Sequence, residues 1–436
     1  MNAKTLFWLR LKAQKRPLRV SFFNSMNDSN PEASQPEHVS RPRLRPVQVL
    51  PTQQNGQTIL ALRDPLQLAG QTMAIPPQAL GMLQHFRGEK PISEIAEALK
   101  APIEKVLELA VALDRLGLLE GPTAEALEDA KLQQLHDAGH FPPRATQGLG
   151  NSEIAKAAIR GWFAETEDPE LSGVPVAVLA PSLSYSQAWE VFAGAWHPVR
   201  SQSAPDRVVV LGPAHASIGN GVCGTQLGIA TALGVCPVDK DLLQLLRQRM
   251  GDQYCQDELD HFAEHGLESQ LPWIQEQHGN IPVTAAILPD RLLDQEPEDG
   301  VSSPVFISAM REALSQLGGR TLLVVSTDLA HAGPQFGEPR AIDDNRRVDV
   351  EQRDRELLGK FLDGDADAFV EAVKWDKNAL RWTGVHAMSA ALQLTKMMHP
   401  EASWELVDYK QADTATGQQA SIISIAGVVA TVPAQA

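Results

Sequence analysis

The sequence predicts a three-layer α/β domain with a mostly parallel sheet over its C-terminal part, preceded by a small module of strands and short helices. Residues 174–180, 207–211, 283–288, 321–326 and 421–429 are continuous apolar, β-branched runs, and unbroken rather than alternating runs mark strands covered on both faces. Helical patterns at 242–250, 267–278 and 305–317 lie between them, and strands alternating with helices imply crossover connections. Composition agrees: 436 residues with 43% hydrophobic and 21% charged side chains supply packed cores and exclude a disordered or collagen-like chain. The length exceeds the roughly 100–200 residues of one domain.

Residues 1–45 carry nine Lys or Arg against three Asp or Glu, net +6, while the whole chain carries −16, so the remainder holds −22. They mix basic residues with Asn, Ser and Pro, show no periodicity, and read as a disordered basic tail. Residues 46–122 read as a small domain. In it, 58–62 alternates as a strand, and Pro76 and Pro77 stand where a helix starts. The stretch 92–100 sets Ile92, Ile95, Ala96 and Leu99 on one face, with Ser93 as a capping residue after Pro91. A further helix, 102–116, repeats Val106, Leu109, Ala110 and Leu113 before Gly117 and a terminal strand at Leu118 and Leu119. Residues 123–170 read as a helical connector broken at 141–150, and 171–436 as the α/β domain.

A strand, three helices and a terminal strand resemble a winged-helix module, similar to PqqD-like peptide-binding domains, and the resemblance implies docking of a peptide or protein. A purely structural cap is the other reading, and both stay open. Duplex recognition needs a positive face. Residues 47–121 hold six Lys or Arg against eight Asp or Glu, so nucleic acid is not an expected partner. Nor is a membrane, since the longest apolar stretches, 321–325 and 422–429, fall far short of the roughly 20 residues of a spanning helix. Three cysteines, Cys223, Cys236 and Cys255, form no C-x-x-C and no even framework, which suits a reducing, cytoplasmic setting.

Polar residues gather where strands end. Residues 208–212 run into Pro213, Ala214 and His215; 321–326 run into Thr327, Asp328, Leu329, Ala330 and His331; and Glu264-His265-Gly266-Leu267-Glu268 opens a helix. In open α/β sheets ligands bind beyond the carboxyl ends of the strands. His265 and Glu268 stand three apart, hence on one helical face, and Asp328 and His331 converge if the strand passes into a helical turn. These four are the candidate catalytic residues, because a histidine beside a carboxylate serves acid–base chemistry or a metal ligand with its orienting partner. No G-x-x-x-x-G-K-[ST], no G-x-G-x-x-G after a strand and no G-x-S-x-G occurs.

Four ordered motifs resemble those of the Memo family and its bacterial relatives labelled AmmeMemoRadiSam system protein B. Residues 211–215, Leu-Gly-Pro-Ala-His, are similar to LGPSHH; 231–239, Thr-Ala-Leu-Gly-Val-Cys-Pro-Val-Asp, to TPLGxVxVD; 264–272, Glu-His-Gly-Leu-Glu-Ser-Gln-Leu-Pro, to EHSLExQLP; and 325–331, Val-Ser-Thr-Asp-Leu-Ala-His, to VSSDxxH. The resemblance implies a class III extradiol dioxygenase-like domain with a non-haem metal pocket of two histidines and a cysteine, and a radical SAM protein and an AMMECR-like protein as partners. His215 matches one ligand histidine. The segment Pro181-Ser182-Leu183-Ser184-Tyr185 puts Ser182 where the family reads P-H-A-G-Y, and Trp382-Thr383-Gly384 puts Thr383 at the cysteine position. Hydroxyls are weak neutral ligands beside imidazole and thiolate.

The expectation is therefore a degenerate metal site in a binding or accessory component of a radical SAM-associated system. The alternative is a metal-dependent oxidoreductase, non-haem iron or copper, whose shifted ligand set combines His215 with His265, Asp328, His331 or His386 as two histidines and a carboxylate. Whether the chain is an enzyme, and whether it holds no cofactor or a non-haem transition metal, stays open at this point.

Overall fold

A computed structural model describes residues 35–54, 57–215, 219–293, 295–297 and 299–434; the tail reading for residues 1–34 lies outside them. The chain divides into two compact units between Gln134 and Leu135, within the helix Pro122–Ala138.

In the first unit Gln48–Gln54 pairs antiparallel with Gln57–Arg63, which pairs antiparallel with Met73–Ile75. Helices Ile92–Leu99 and Ile103–Arg115 turn Ile92, Ile95, Ala96, Val106, Ala110 and Leu113 into a core shared with Leu62, Ile75 and Phe86. The helical spacing of those residues produces that stripe. Pro91 holds the N-cap position with no side-chain cap, and Ser93 lies inside the first turn. Leu118 and Leu119 form no strand: Leu119 makes a single antiparallel bridge to Leu44. The expected boundary at residue 46 also shifts. Val39 is 2% exposed in the core, and the buried Arg45 donates to the Gly117 carbonyl at 2.9 Å and pairs with Glu128. A buried guanidinium needs such partners, so part of the basic segment belongs to the fold.

The second unit is built on an eight-stranded sheet. Its centre is parallel: Val174–Ala180, Thr321–Ser326, Arg207–Gly212 and Val283–Ile287 lie side by side in that order, with Val324 opposite both Val178 and Val210. Antiparallel strands flank it. Ser421–Val432 runs beside Val174–Ala180 and carries Ser403–Ala415 along its other edge; His331–Ala332 pairs with Ile422 and Ile423; and Cys223–Gly224 pairs with Val283–Ile287. Leu179, Val209, Leu211, Leu323 and Val325 share one core with Leu246, Met310 and Leu394 of three helices. Val178, Val208, Val210 and Val324, pointing the other way along the strands, are equally buried. That two-sided burial is what the unbroken apolar runs encode.

Ser403–Ala415 escapes the apolar-run criterion because it is an edge strand, with charged Glu405, Asp408, Lys410 and Asp413 interrupting it. Helix Ser152–Glu165, read as connector, lies in the second unit, where its Phe163 meets Trp273 edge-on at 5.2 Å and Trp273 stacks on Phe192 at 5.6 Å. No helix among the described residues is long and apolar enough to cross a membrane.

Asp354 of helix Asp344–Leu362 ties three elements together: it accepts from the Trp382 indole N–H at 2.7 Å and the Tyr409 hydroxyl at 2.8 Å. Burial pushes this carboxyl up to about 6 from 3.8. A group with a raised folded pKa holds its proton more tightly in the folded state, so its contribution is present below the ordinary value and is lost as pH rises through the folded one. Asp354→Asn is expected to remove about 2–3 kcal/mol of the fall in stability between pH 4 and 6, measured as the difference between wild-type and variant urea-unfolding midpoints across that range.

Candidate functional site

Strand Arg207–Gly212 ends just before His215, and the helix Gly266–His278 begins just after Glu264 and His265. The His215 Nδ1 lies 2.9 and 3.0 Å from the two oxygens of Glu264, and its backbone N–H donates to Glu264 Oε2 at 3.2 Å. The Gly266 N–H donates to Oε1 at 3.0 Å, so the carboxylate also satisfies one of the orphan amides of a helix start. His265 Nδ1 is 3.6 Å from the same oxygen, and the two imidazole centroids are 5.1 Å apart. A side chain at 266 would not fit here. Its Cβ would come within 2.7 Å of Ser326 Oγ and 2.9 Å of Ser182 Cβ, and that close approach seats the helix start on the strand ends.

Electrostatics follow from this packing. Burial alone lowers His215, but the adjoining Glu264 carboxylate, with Asp328 and Asp290 adding to it, turns the net shift upward. Burial alone raises Glu264, yet His215, helped by His265, holds it down to about 2. At His265 burial wins over the pull of Glu264 and drops the ring to about 3. The pair thus carries its charge on Glu264 and His215, with a neutral His265 beside it.

The other expected site residues are placed differently. The Glu268 carboxylate turns to the loop at 144–146, where it accepts from the backbone N–H groups of Arg144, Ala145 and Thr146 at 2.8, 2.9 and 2.8 Å and from the Thr146 hydroxyl at 2.5 Å. It braces that loop rather than pairing with His265. Asp328 accepts from the Ser182 N–H at 2.9 Å, its hydroxyl at 2.7 Å and the Leu183 N–H at 3.2 Å. No helical turn brings His331 back to Asp328: residues 327–330 form neither helix nor strand before His331–Ala332, and His331 Nδ1 reaches the carbonyls of Leu329 and Arg381 at 2.9 and 3.0 Å. His386 Nδ1 donates to the Pro289 carbonyl at 2.9 Å. Burial lowers both of these rings to about 4.

Ser182 and Thr383 do not fit a metal at the positions the resemblance implies. The buried Ser182 hydroxyl gives its proton to Asp328, and Thr383 donates from its N–H and hydroxyl to the Asp328 carbonyl at 3.1 and 3.2 Å. Of the three positions only His215 offers a strong ligand. A different trio meets: His215, Glu264 and His265 form the group of three ligand-type side chains among the described residues whose ligating atoms all lie within 4.8 Å of one another. Asp328, His331 and His386 do not join it.

Two groups of the site escaped the sequence reading. Glu264 stands inside a motif singled out for its neighbours, and its signal is an acidic residue immediately before a helix start. Asp290 follows the strand Val283–Ile287 and accepts from the Gly384 and His386 N–H groups, both at 2.9 Å; the strand-end rule applies to it equally.

The His215–Glu264 pair sets a pH window. Glu264, held below its ordinary 4.5, contributes stability above that value and loses it as pH falls toward 2; His215, held above 6.5, contributes below that value and loses it as pH rises through its raised pKa. Glu264→Gln is expected to lower the unfolding midpoint most between pH 4.5 and 6.5 and least near pH 2, as urea titrations at a series of pH values would show.

Comparison with known proteins agrees with this architecture. The family model described as Memo-like protein matches residues 138–429. A MEMO1 family protein of Methanopyrus kandleri is 24% identical over 301 residues, covering 67% of this chain and 96% of the relative. One of Thermus thermophilus is 26% identical over 304 residues, covering 68% and 85%, and one of Thermotoga neapolitana is 30% identical over 191 residues, covering 43% and 65%. The matched span contains the four parallel strands and every strand-end group described above, and the chain belongs to the Memo family.

Proposed function

We propose that this chain is a binding or accessory component of a radical SAM-associated system, with a radical SAM protein and an AMMECR-like protein as partners. In this reading its class III extradiol dioxygenase-like domain no longer assembles the family's two-histidine, one-cysteine metal set. The first unit, as a winged-helix-like module of the PqqD-like kind, docks a peptide or a partner. The observation that carries the reading is the use of the hydroxyls at 182 and 383 as internal donors to Asp328, which spends on the fold the positions a redox metal would need. A cytoplasmic setting belongs to the proposal, supported by three cysteines that are unpaired and buried.

The test is isothermal titration of the full-length chain with the purified radical SAM and AMMECR-like proteins, alongside oxygen uptake by the iron- or copper-loaded chain with catechols. Saturable binding to at least one partner, with Kd below about 10 μM, and no oxygen uptake are expected. Failure to bind either partner overturns the accessory reading, and oxygen uptake would favour the metal-dependent oxidoreductase with a shifted ligand set.

A further inference from the structure

We propose that His215, Glu264 and His265 form a site for one divalent ion of the zinc class, distinct from the ligand set of positions 182, 215 and 383. The spacing suits it. Metal–ligand bonds of about 2.0–2.2 Å separate neighbouring ligand atoms by about 3–3.5 Å, and here the imidazole nitrogens stand 2.9, 3.0 and 3.6 Å from the Glu264 oxygens. Two histidines and a carboxylate with a fourth position left for water or a partner's side chain is a common zinc arrangement.

The site is also held in advance of the ion. Both Glu264 oxygens are anchored by backbone amides, of His215 and of Gly266, and Gly266 is locked against Ser182 and Ser326 by the close approach that its missing side chain permits. Fixing a ligand by surrounding hydrogen bonds raises its value to a metal. Access and field agree. The Glu264 side chain is 2% exposed while His215 and His265 are 14% and 19% exposed, so the trio opens on the histidine side. Asp290 and Asp328 add negative charge near His215, and neither belongs to the trio. Without the ion, the 2.9 Å contact is a hydrogen bond; with it, the metal takes the place of the shared proton.

The inference goes beyond the docking reading and fails separately from it, because one is read from metal and the other from partner affinity. The experiment is titration of zinc(II) into the chelator-stripped full-length chain, wild type, His265→Ala and Glu264→Gln, with circular dichroism to verify each fold. One zinc per wild-type chain at Kd below about 10 μM is expected. Each variant should lose more than the 10–100-fold that removal of a merely orienting partner produces. Weaker wild-type binding overturns the site, and so does binding that His265→Ala leaves unchanged, since His265 has no part in the 182, 215 and 383 set. X-ray absorption of the zinc-loaded wild type covers the case of a variant that does not fold. Nitrogen and oxygen ligands alone support the site, whereas sulfur at about 2.3 Å assigns the ion to Cys223, Cys236 or Cys255 and overturns it.

Discussion

Carboxylates accepting from backbone amides hold together the segments that follow the parallel strands. Asp328 takes the amides of Ser182 and Leu183, Glu264 those of His215 and Gly266, Glu268 those of residues 144–146, and Asp290 those of Gly384 and His386. A buried carboxylate costs several kcal/mol unless hydrogen-bonded, and helix starts and tight loops leave amides without partners. Each problem removes the other. Three loops, at 144–146, 182–183 and 215, and the helix starts at 266 and 384–386 are held in this way, with His215 among three of the acids.

The Ser182 hydroxyl donates to the Asp328 carboxylate and the Thr383 hydroxyl to the Asp328 backbone carbonyl, so both hydroxyls serve the packing of the strand ends. The paired charges of His215 and Glu264 do not depend on either hydroxyl. A fold assignment to the Memo family therefore leaves the chemistry to be argued from individual residues.

Legibility differed by the kind of interaction. The five apolar runs are strands because burial on both faces demands unbroken hydrophobicity, a local property of each run. The Ser403–Ala415 edge strand was not legible, since its pattern reflects one partner strand and solvent. Leu118 and Leu119 look like a strand for the opposite reason: their apolarity serves the core of the first unit, and only one bridge forms. His265 and Glu268 share a helical spacing, yet the loop at 144–146, more than a hundred residues away in the chain, captures the Glu268 carboxylate.

By itself the sequence determined the α/β class and the strand runs of the sheet, because both rest on local periodicity. Only the tertiary structure decided which polar groups pair. Whether an acid at a strand end serves a histidine, a helix start or a loop depends on which orphan amides the packing brings within about 3 Å, and those amides come from segments that adjacency in the chain does not relate. His215 and Glu264 are partners, Asp328 and His331 are not, for that reason.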